Sequence, residues 1–401
     1  MNIRIFPSRA CGSVSAPPSK SMAHRLLICA ALAKGESRID GISDCEDVQA
    51  TLDCLNALGA ECKIDNNKVI VKGIDFYNQS TSVLPCRESG STMRFMLPLC
   101  LLSREKYTLI GEPSLLCRPM KVYQNLCKEH NLFFEQTESG ITVAGELRAT
   151  EYTLPGDVSS QFISGMLFAL TQVAGESILH ILPPFESRSY VLLTLQALSL
   201  FGADIAWVDE NTLSVRGGKP MSAQTLTVEG DYSGAAFLAA FNALGGEVTV
   251  KGLNPQSLQG DRIYFEHFAS LQKGFATISL ADCPDLAPIL FALAAKGQGA
   301  RFIDTKRLKI KESDRAEAMA TELRKFGVRV AVGENEVVIT PTGFHAPTES
   351  LSGHNDHRIV MSLAVLATVT GGVIEGAEAV AKSFPDFFER IKLLGICLEE
   401  I

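Results

Sequence analysis

The chain lacks any CxxC pair, any GxxxxGK[ST] loop, any zinc-type ligand spacing and any dinucleotide fingerprint following a strand. No metal or cofactor is therefore expected. Without a framework spacing, the eleven cysteines do not read as a disulfide scaffold. Most sit in apolar patterns, as Cys29, Cys54, Cys100 and Cys127 do, which predicts buried thiols in a reducing compartment. Positive net charge is missing too: the formal balance is −8, which disfavours nucleic acid and anionic lipid as partners and makes any cationic site a local one. No uninterrupted apolar run reaches membrane-spanning length, and residues 1–20 lack a continuous apolar h-region, so a cytoplasmic protein with no membrane partner is expected.

What is present is a globular balance, 46% apolar and 20% charged over 401 residues, enough chain for two domains. A unit recurs six times: a Gly/Ser/Asp-rich loop, an apolar helix, a turn, a short strand, then an amphipathic helix ending near Gly. The apolar helices are predicted to begin near Ser21, Gly90, Ser160, Ser233, Asp285 and His357, and Gly turns follow at Gly35, Gly175, Gly245, Gly297 and Gly371. Helices that are apolar nearly all round belong in an interior. Six such units predict an α/β fold of two domains, each an inside-out α/β barrel of three units. An open solenoid is the competing architecture, but a period of roughly seventy residues exceeds the usual ~20–50 of solenoid repeats.

Cations stand where helices disfavour them. Arg25, Arg94, Arg315 and Arg358 are predicted in or near the first turns of apolar helices, with Lys20 and Lys311 just ahead of two of them and Lys382 in a later loop. A helix N-terminus prefers anions by about 0.3–1 kcal/mol per charge. Repetition of the misfit points to bound phosphate or carboxylate groups held by backbone N–H groups and guanidinium forks. The alternative is ordinary pairing of these cations with acids such as Glu312, Asp314 or Asp356.

The segments PPSKSMAHR (17–25), GDVSSQF (156–162), KESDRAEAMATELRKFG (311–327), NDHR (355–358) and AKSFPDFFE (381–389) together resemble the 3-phosphoshikimate 1-carboxyvinyltransferase family of enolpyruvyl transferases, in order and over essentially the whole chain. The resemblance implies one domain of residues 1–13 plus 229–401, another of 14–228, and an active site in the cleft between them. It implies transfer of the enolpyruvyl group of phosphoenolpyruvate to the 5-hydroxyl of shikimate 3-phosphate, with release of phosphate. Lys20, Ser21, Arg25, Ser159, Ser160, Gln161, Ser187, Asp285 and Lys311 would then contact shikimate 3-phosphate. Lys20, Gly90, Arg118, Gln161, Arg315, Arg358 and Lys382 would hold phosphoenolpyruvate. Asp285 would accept the hydroxyl proton, Glu312 would serve the methylene carbon, and Lys20 would stabilise developing charge. Taken alone, Asp285 and Glu312 could equally be helix caps. His357 is read as a structural partner of the site, and the protein is expected to be a monomer.

Three positions depart from the family pattern: Glu88 replaces Asn, Phe95 replaces Pro, and Arg307 replaces the Asn ahead of KESDR. Two rivals remain. One is the UDP-N-acetylglucosamine enolpyruvyl transferase, which places a reactive Cys several residues before the donor-binding Arg and an Asn after the first Lys. Here Ser21 follows Lys20, and Cys117 directly precedes Arg118. The other is a non-catalytic anion-binding repeat scaffold, which would gain nothing from Asp285 and Glu312.

Overall fold

A computed structural model describes residues 1–74 and 81–401. The chain divides into two compact units, Lys20–Glu229 and Met1–Ser19 with Gly230–Ile401, each with its own apolar core.

In the unit Lys20–Glu229 the helices Lys20–Leu32, Gly90–Cys100 and Ser160–Leu170 are buried along almost their whole length. Their sequences explain this, because apolar residues occupy every face beyond the first turn. Ser89 and Ser159 cap the second and third, accepting from Thr92 N and Gln161 N at 3.3 Å each. Those two helices approach closely at Gly165, where a Cβ would stand 2.4 Å from both Arg94 O and Tyr123 Oη. Tyr123, on the outer helix Lys121–Glu129, donates from the same place to Arg94 O and Phe162 O.

Three four-stranded sheets belong to this unit, and they share one topology. A first edge strand runs parallel to its neighbour, which is antiparallel to the next, which is antiparallel to the last. Val83–Pro85, Lys106–Ile110, Gly140–Ala144 and Phe133–Thr137 are ordered in this way. So are Glu151–Pro155, Gly175–Leu182, Thr212–Gly217 and Asp204–Asp209, and Thr225–Thr227, Glu36–Asp40, Lys68–Lys72 and Glu61–Asp65.

The other unit repeats the plan around the helices Tyr232–Ala243, Ala287–Lys296 and His357–Thr370, which pack on one another. Ala276–Ser279, Ala300–Ile303, Glu336–Pro341 and Val328–Val332 reproduce the sheet. In the last repeat the chain's first strand supplies the third position: Asn2–Ile5 lies antiparallel between Gly372–Glu375 and Leu398–Glu400. Cys11–Ser15 and Glu247–Lys251 form a two-stranded parallel sheet in this unit. Residues 13 and 14 lie within the strand Cys11–Ser15, and the compact units divide after Ser19 and after Glu229.

The inner helices begin where the repeat places them. The 3-10 turn Pro284–Leu286 precedes Ala287–Lys296, so Asp285 sits one turn ahead of its helix. One placement is corrected: Arg315 starts the outer, amphipathic helix Arg315–Lys325, behind the cap Asp314, and is not on an inner helix. The KESDR segment combines a cap and a charged first turn, which mimics an inner-helix start in sequence.

Candidate functional site

Two clusters of charge form, one in each unit. In Lys20–Glu229 the centre is the N-terminus of Gly90–Cys100. A Cβ on Gly90 would lie 2.7 Å from Arg118 Nη1 and 3.3 Å from Arg94 Nη1, so two guanidinium groups close on a helix start that presents bare backbone. Free N–H groups, a helix dipole and two cations make a complementary setting for an anion. Arg94 Nη1 donates to Gln161 Oε1 at 2.6 Å, and Gln161 Nε2 donates to Ser91 Oγ at 2.8 Å, which fixes the amide between two inner helices.

Lys20 opens the first inner helix, and its Nζ is 2.6 Å from Asp47 Oδ2. Hydroxyls join Lys20's helix to the Gly90 helix start. His24 Nδ1 meets Thr51 Oγ1 at 2.7 Å, Thr51 meets Thr92 Oγ1 at 2.7 Å, and Thr92 donates to the cap Ser89 Oγ at 2.8 Å. Burial, then Lys20 and Arg25, hold the His24 imidazole well below its ordinary range, so it is neutral.

Arg25 is also buried and, among the described residues, bonds neutral oxygens: Thr194 Oγ1 at 2.8 Å, Ser21 O at 2.6 Å and Tyr190 O at 2.9 Å. Burial lowers its pKa to about 10, still well above neutral pH, so it keeps its charge. Ser187 ends the preceding loop in the left-handed region (φ 52°) and is buried. Ser159 and Ser160 begin the third inner helix.

The second cluster is built on Asp285, Lys311, Glu312, Arg315, Asp356, Arg358 and Lys382. Arg315, 1% exposed, donates Nη1 to Asp285 Oδ1 at 2.8 Å, Nη2 to Glu312 Oε2 at 2.6 Å and Nε to Asp356 Oδ2 at 2.9 Å. For Arg315, then, pairing with acids is what the structure shows. Lys311 Nζ lies 3.2 Å from Asp285 Oδ1, and Arg358 Nη2 lies 3.1 Å from Asp285 Oδ2. Lys382 Nζ donates to Asn355 O at 2.8 Å. Asp285 is thus ringed by three cations. Burial pushes its pKa up, but Arg358, Lys311 and Arg315 override this and hold it well below the usual carboxylate range, so the carboxylate is ionised.

Capping at these places falls to other residues. Asp314 Oδ1 accepts from Glu317 N at 3.2 Å and Asp356 Oδ1 from Arg358 N at 2.9 Å, while Glu312 faces Arg315. Asp356 therefore has two duties, since its second oxygen takes Arg315. His357 is buried beside it. Of the departures, Arg307 is buried and donates to Ala281 O, and Glu88 accepts from Ser114 Oγ at 2.9 Å.

The sequence singled out Arg94 as a helix-start cation and Asp356 as a possible counterion, but not Asp47. Asp47 had no signal, because what marks it is Lys20, brought to 2.6 Å by folding.

Comparison with known proteins adds identity to this geometry. The family model described as EPSP synthase (3-phosphoshikimate 1-carboxyvinyltransferase) matches residues 6–391. The 3-phosphoshikimate 1-carboxyvinyltransferase of Clostridium kluyveri is 37% identical, covering 99% of this chain and 98% of the relative. That of Clostridium perfringens strain 13 is 36% identical over 99% of each. Among solved structures, an EPSP synthase from Acinetobacter baumannii superposes with a TM-score of 0.78 at 24% identity over 99% of both chains. The enolpyruvyl transferase NikO from Streptomyces tendae reaches 0.80 at 16% identity, covering 99% of this chain and 98% of that one.

Proposed function

The chain belongs to the EPSP synthase (3-phosphoshikimate 1-carboxyvinyltransferase) family, and from that membership we propose that it transfers the enolpyruvyl group of phosphoenolpyruvate to the 5-hydroxyl of shikimate 3-phosphate, releasing phosphate. The observation that carries the reading from the residues is the juxtaposition, around Asp285, of an ionised carboxylate with Lys311, Arg315 and Arg358. An anion-binding scaffold has no use for a partly buried proton acceptor among its cations, whereas addition to an enol requires one.

In this reading Asp285 takes the proton of the attacking hydroxyl as its oxygen bonds the substituted carbon of phosphoenolpyruvate, and the methylene carbon gains a proton. Elimination returns that proton as the carbon–oxygen bond to phosphate breaks. Glu312 is assigned to the methylene carbon, with Lys20 facing the charge that develops. Arg118, Arg94 and the Gly90 backbone, with Gln161, Arg315, Arg358 and Lys382, are assigned to phosphoenolpyruvate. Ser21, Arg25, Ser159, Ser160, Gln161, Ser187 and Lys311 are assigned to shikimate 3-phosphate. A trianion leaving water needs several fixed cations, and hydroxyl and amide groups suit a polyol. The reading includes a monomeric, cytoplasmic enzyme.

The test is phosphate release from phosphoenolpyruvate with three acceptor conditions: shikimate 3-phosphate, UDP-N-acetylglucosamine and none. Release with the first alone supports the proposal. Release with the nucleotide sugar alone would establish the rival enolpyruvyl transferase, and release with neither would leave only the binding scaffold. The exposed Cys117, adjacent to Arg118, is too near that Arg for the rival's cysteine position.

A further inference from the structure

Glu322 lies on the helix Arg315–Lys325, two turns beyond Arg315 and on the same face. Its side chain is 1% exposed, and it has no assigned role in the reaction proposed above. Its Oε2 accepts from Ser352 N at 2.9 Å, and its Oε1 lies 2.8 Å from His354 Nε2. Lys325 Nζ is 3.0 Å from Oε2 and also donates to Ser350 O at 2.8 Å. Burial raises the pKa of Glu322, but its bonds to His354, Lys325 and Ser352 outweigh this and hold it below its ordinary value. An ionised carboxylate only accepts, so the His354 ring nitrogen donates to it, and these bonds are charge-assisted.

The segment that Glu322 holds is short and conformationally demanding. Leu351–Ser352 pairs in parallel with Gly372–Glu375, and Gly353 N donates to Glu375 O at 2.8 Å. Beyond that point His354 (φ 48°) and Asn355 (φ 51°) are consecutive left-handed residues, a conformation that side chains other than glycine keep only where surrounding contacts fix it. Asp356 N closes the turn on Gly353 O at 2.9 Å. The far side of this turn touches the cations of the site. Asn355 O accepts from Lys382 Nζ at 2.8 Å, Asp356 Oδ1 accepts from Arg358 N at 2.9 Å, and Asp356 Oδ2 accepts from Arg315 Nε at 2.9 Å. One face of one helix thus clamps the turn twice, with Glu322 at its start and Arg315 at its end.

We infer that Glu322 is a positioning residue for phosphoenolpyruvate: by holding Ser352 N and the His354 ring it fixes the turn 353–356, and through Asn355 O and Asp356 it fixes where Lys382 and Arg358 stand. The inference rests on the proposed function, which assigns both cations to phosphoenolpyruvate. Without the carboxylate, Ser352 N loses this acceptor and the left-handed His354 loses the bond to its side chain. The turn can then relax, and Lys382 and Arg358 move with it. A displacement of about 1 Å that begins far from the chemistry can cost up to about a hundredfold.

The experiment measures the KM for phosphoenolpyruvate at saturating shikimate 3-phosphate, the equilibrium affinity for shikimate 3-phosphate alone, and the thermal midpoint. The proteins compared are the wild type, Glu322→Gln, Glu322→Ala and Leu323→Ala. Gln keeps the length and one acceptor oxygen but loses the charge and the second acceptor. Leu323 is buried in the apolar core from the same helix, so its truncation reports general loosening. The KM for phosphoenolpyruvate should rise about threefold in Glu322→Gln and about tenfold or more in Glu322→Ala, with the affinity for shikimate 3-phosphate within about twofold of wild type. Leu323→Ala should lower the thermal midpoint and leave the KM for phosphoenolpyruvate near wild type. An unchanged KM in both Glu322 variants would overturn the inference. So would equal rises in the Glu322 and Leu323 variants, or equal weakening of both substrates. If neither Glu322 variant folds, His354→Ala decides by the same criterion, because its side chain is 30% exposed and it removes one of the same bonds, for a rise of about threefold. A wild type with no turnover would overturn the proposed function, and this inference with it, whereas turnover with an unchanged KM overturns this inference alone.

Discussion

Arg315 and Asp356 form an ion pair at 2.9 Å in which the guanidinium is 1% exposed and the carboxylate not at all. The same guanidinium also holds Glu312 and Asp285, so one cation is the shared counterion of three acids. Removing it takes this cation from Glu312 and Asp356 and leaves Asp285 with Lys311 and Arg358 against the repulsion of its fellow acids. Arg315→Met should lower the unfolding free energy by about 3–5 kcal/mol, the usual cost of breaking a buried pair. Arg315→Lys should recover only part of this, since a point charge cannot span three carboxylates. Urea unfolding curves measure both, and a midpoint equal to wild type would refute the shared-counterion account.

Lys20 lies at the start of an inner helix with Asp47 2.6 Å away. Lys20→Met should abolish steady-state turnover, by roughly a hundredfold or more if the ammonium stabilises charge in the transition state. Single-turnover phosphate release with both substrates saturating separates this from weakened binding. Retained turnover would remove Lys20 from the site.

At Gly90 the argument is steric. A methyl there would meet Arg118 Nη1 at 2.7 Å, closer than real Cβ contacts come. Gly90→Ala should raise the KM for phosphoenolpyruvate several-fold, with the KM for shikimate 3-phosphate and the thermal midpoint little changed, because the contact is to the end of a flexible side chain. Equal loss for both substrates would contradict the assignment.

Asp261 has a stability signature. Burial, and next the charge of Asp285, raise its pKa from the ordinary carboxylate range, near ~4, to about 7 on folding, so within that window the folded state holds a proton that the unfolded state has released. Stability should therefore fall as pH rises from about 4 to about 7. Asp261→Asn removes this slope. Its thermal midpoint relative to wild type should be highest above about pH 7, and the advantage should vanish near about pH 4. A difference independent of pH would count against the shifted carboxylate.

Much of this architecture is legible in the chain. The apolar helices begin at or beside the positions that the repeat predicts, including Gly90 and Ser160, because all-round apolar composition after a small polar cap is a local signal. Arg315 misled for the complementary reason: Asp314 caps an amphipathic helix with the same residues that open an inner one. The closing of the last repeat by Asn2–Ile5 leaves no local trace, since it pairs segments from opposite ends of the chain. Asp47 was equally invisible, because what marks it is a cation brought near by folding; Asp356, legible only as a possible counterion, proves to be both counterion and cap.

The proposed function assigns Arg118 and Arg358 to phosphoenolpyruvate, and equilibrium titration of phosphoenolpyruvate in the presence of saturating shikimate 3-phosphate tests that assignment most directly. The wild type should bind one equivalent per chain, and either Arg118→Ala or Arg358→Ala should weaken that single event by at least about tenfold, as expected when a buried anion loses one of its charged partners. Wild-type affinity in either variant, or two independent binding events of which each substitution removes one, would contradict it.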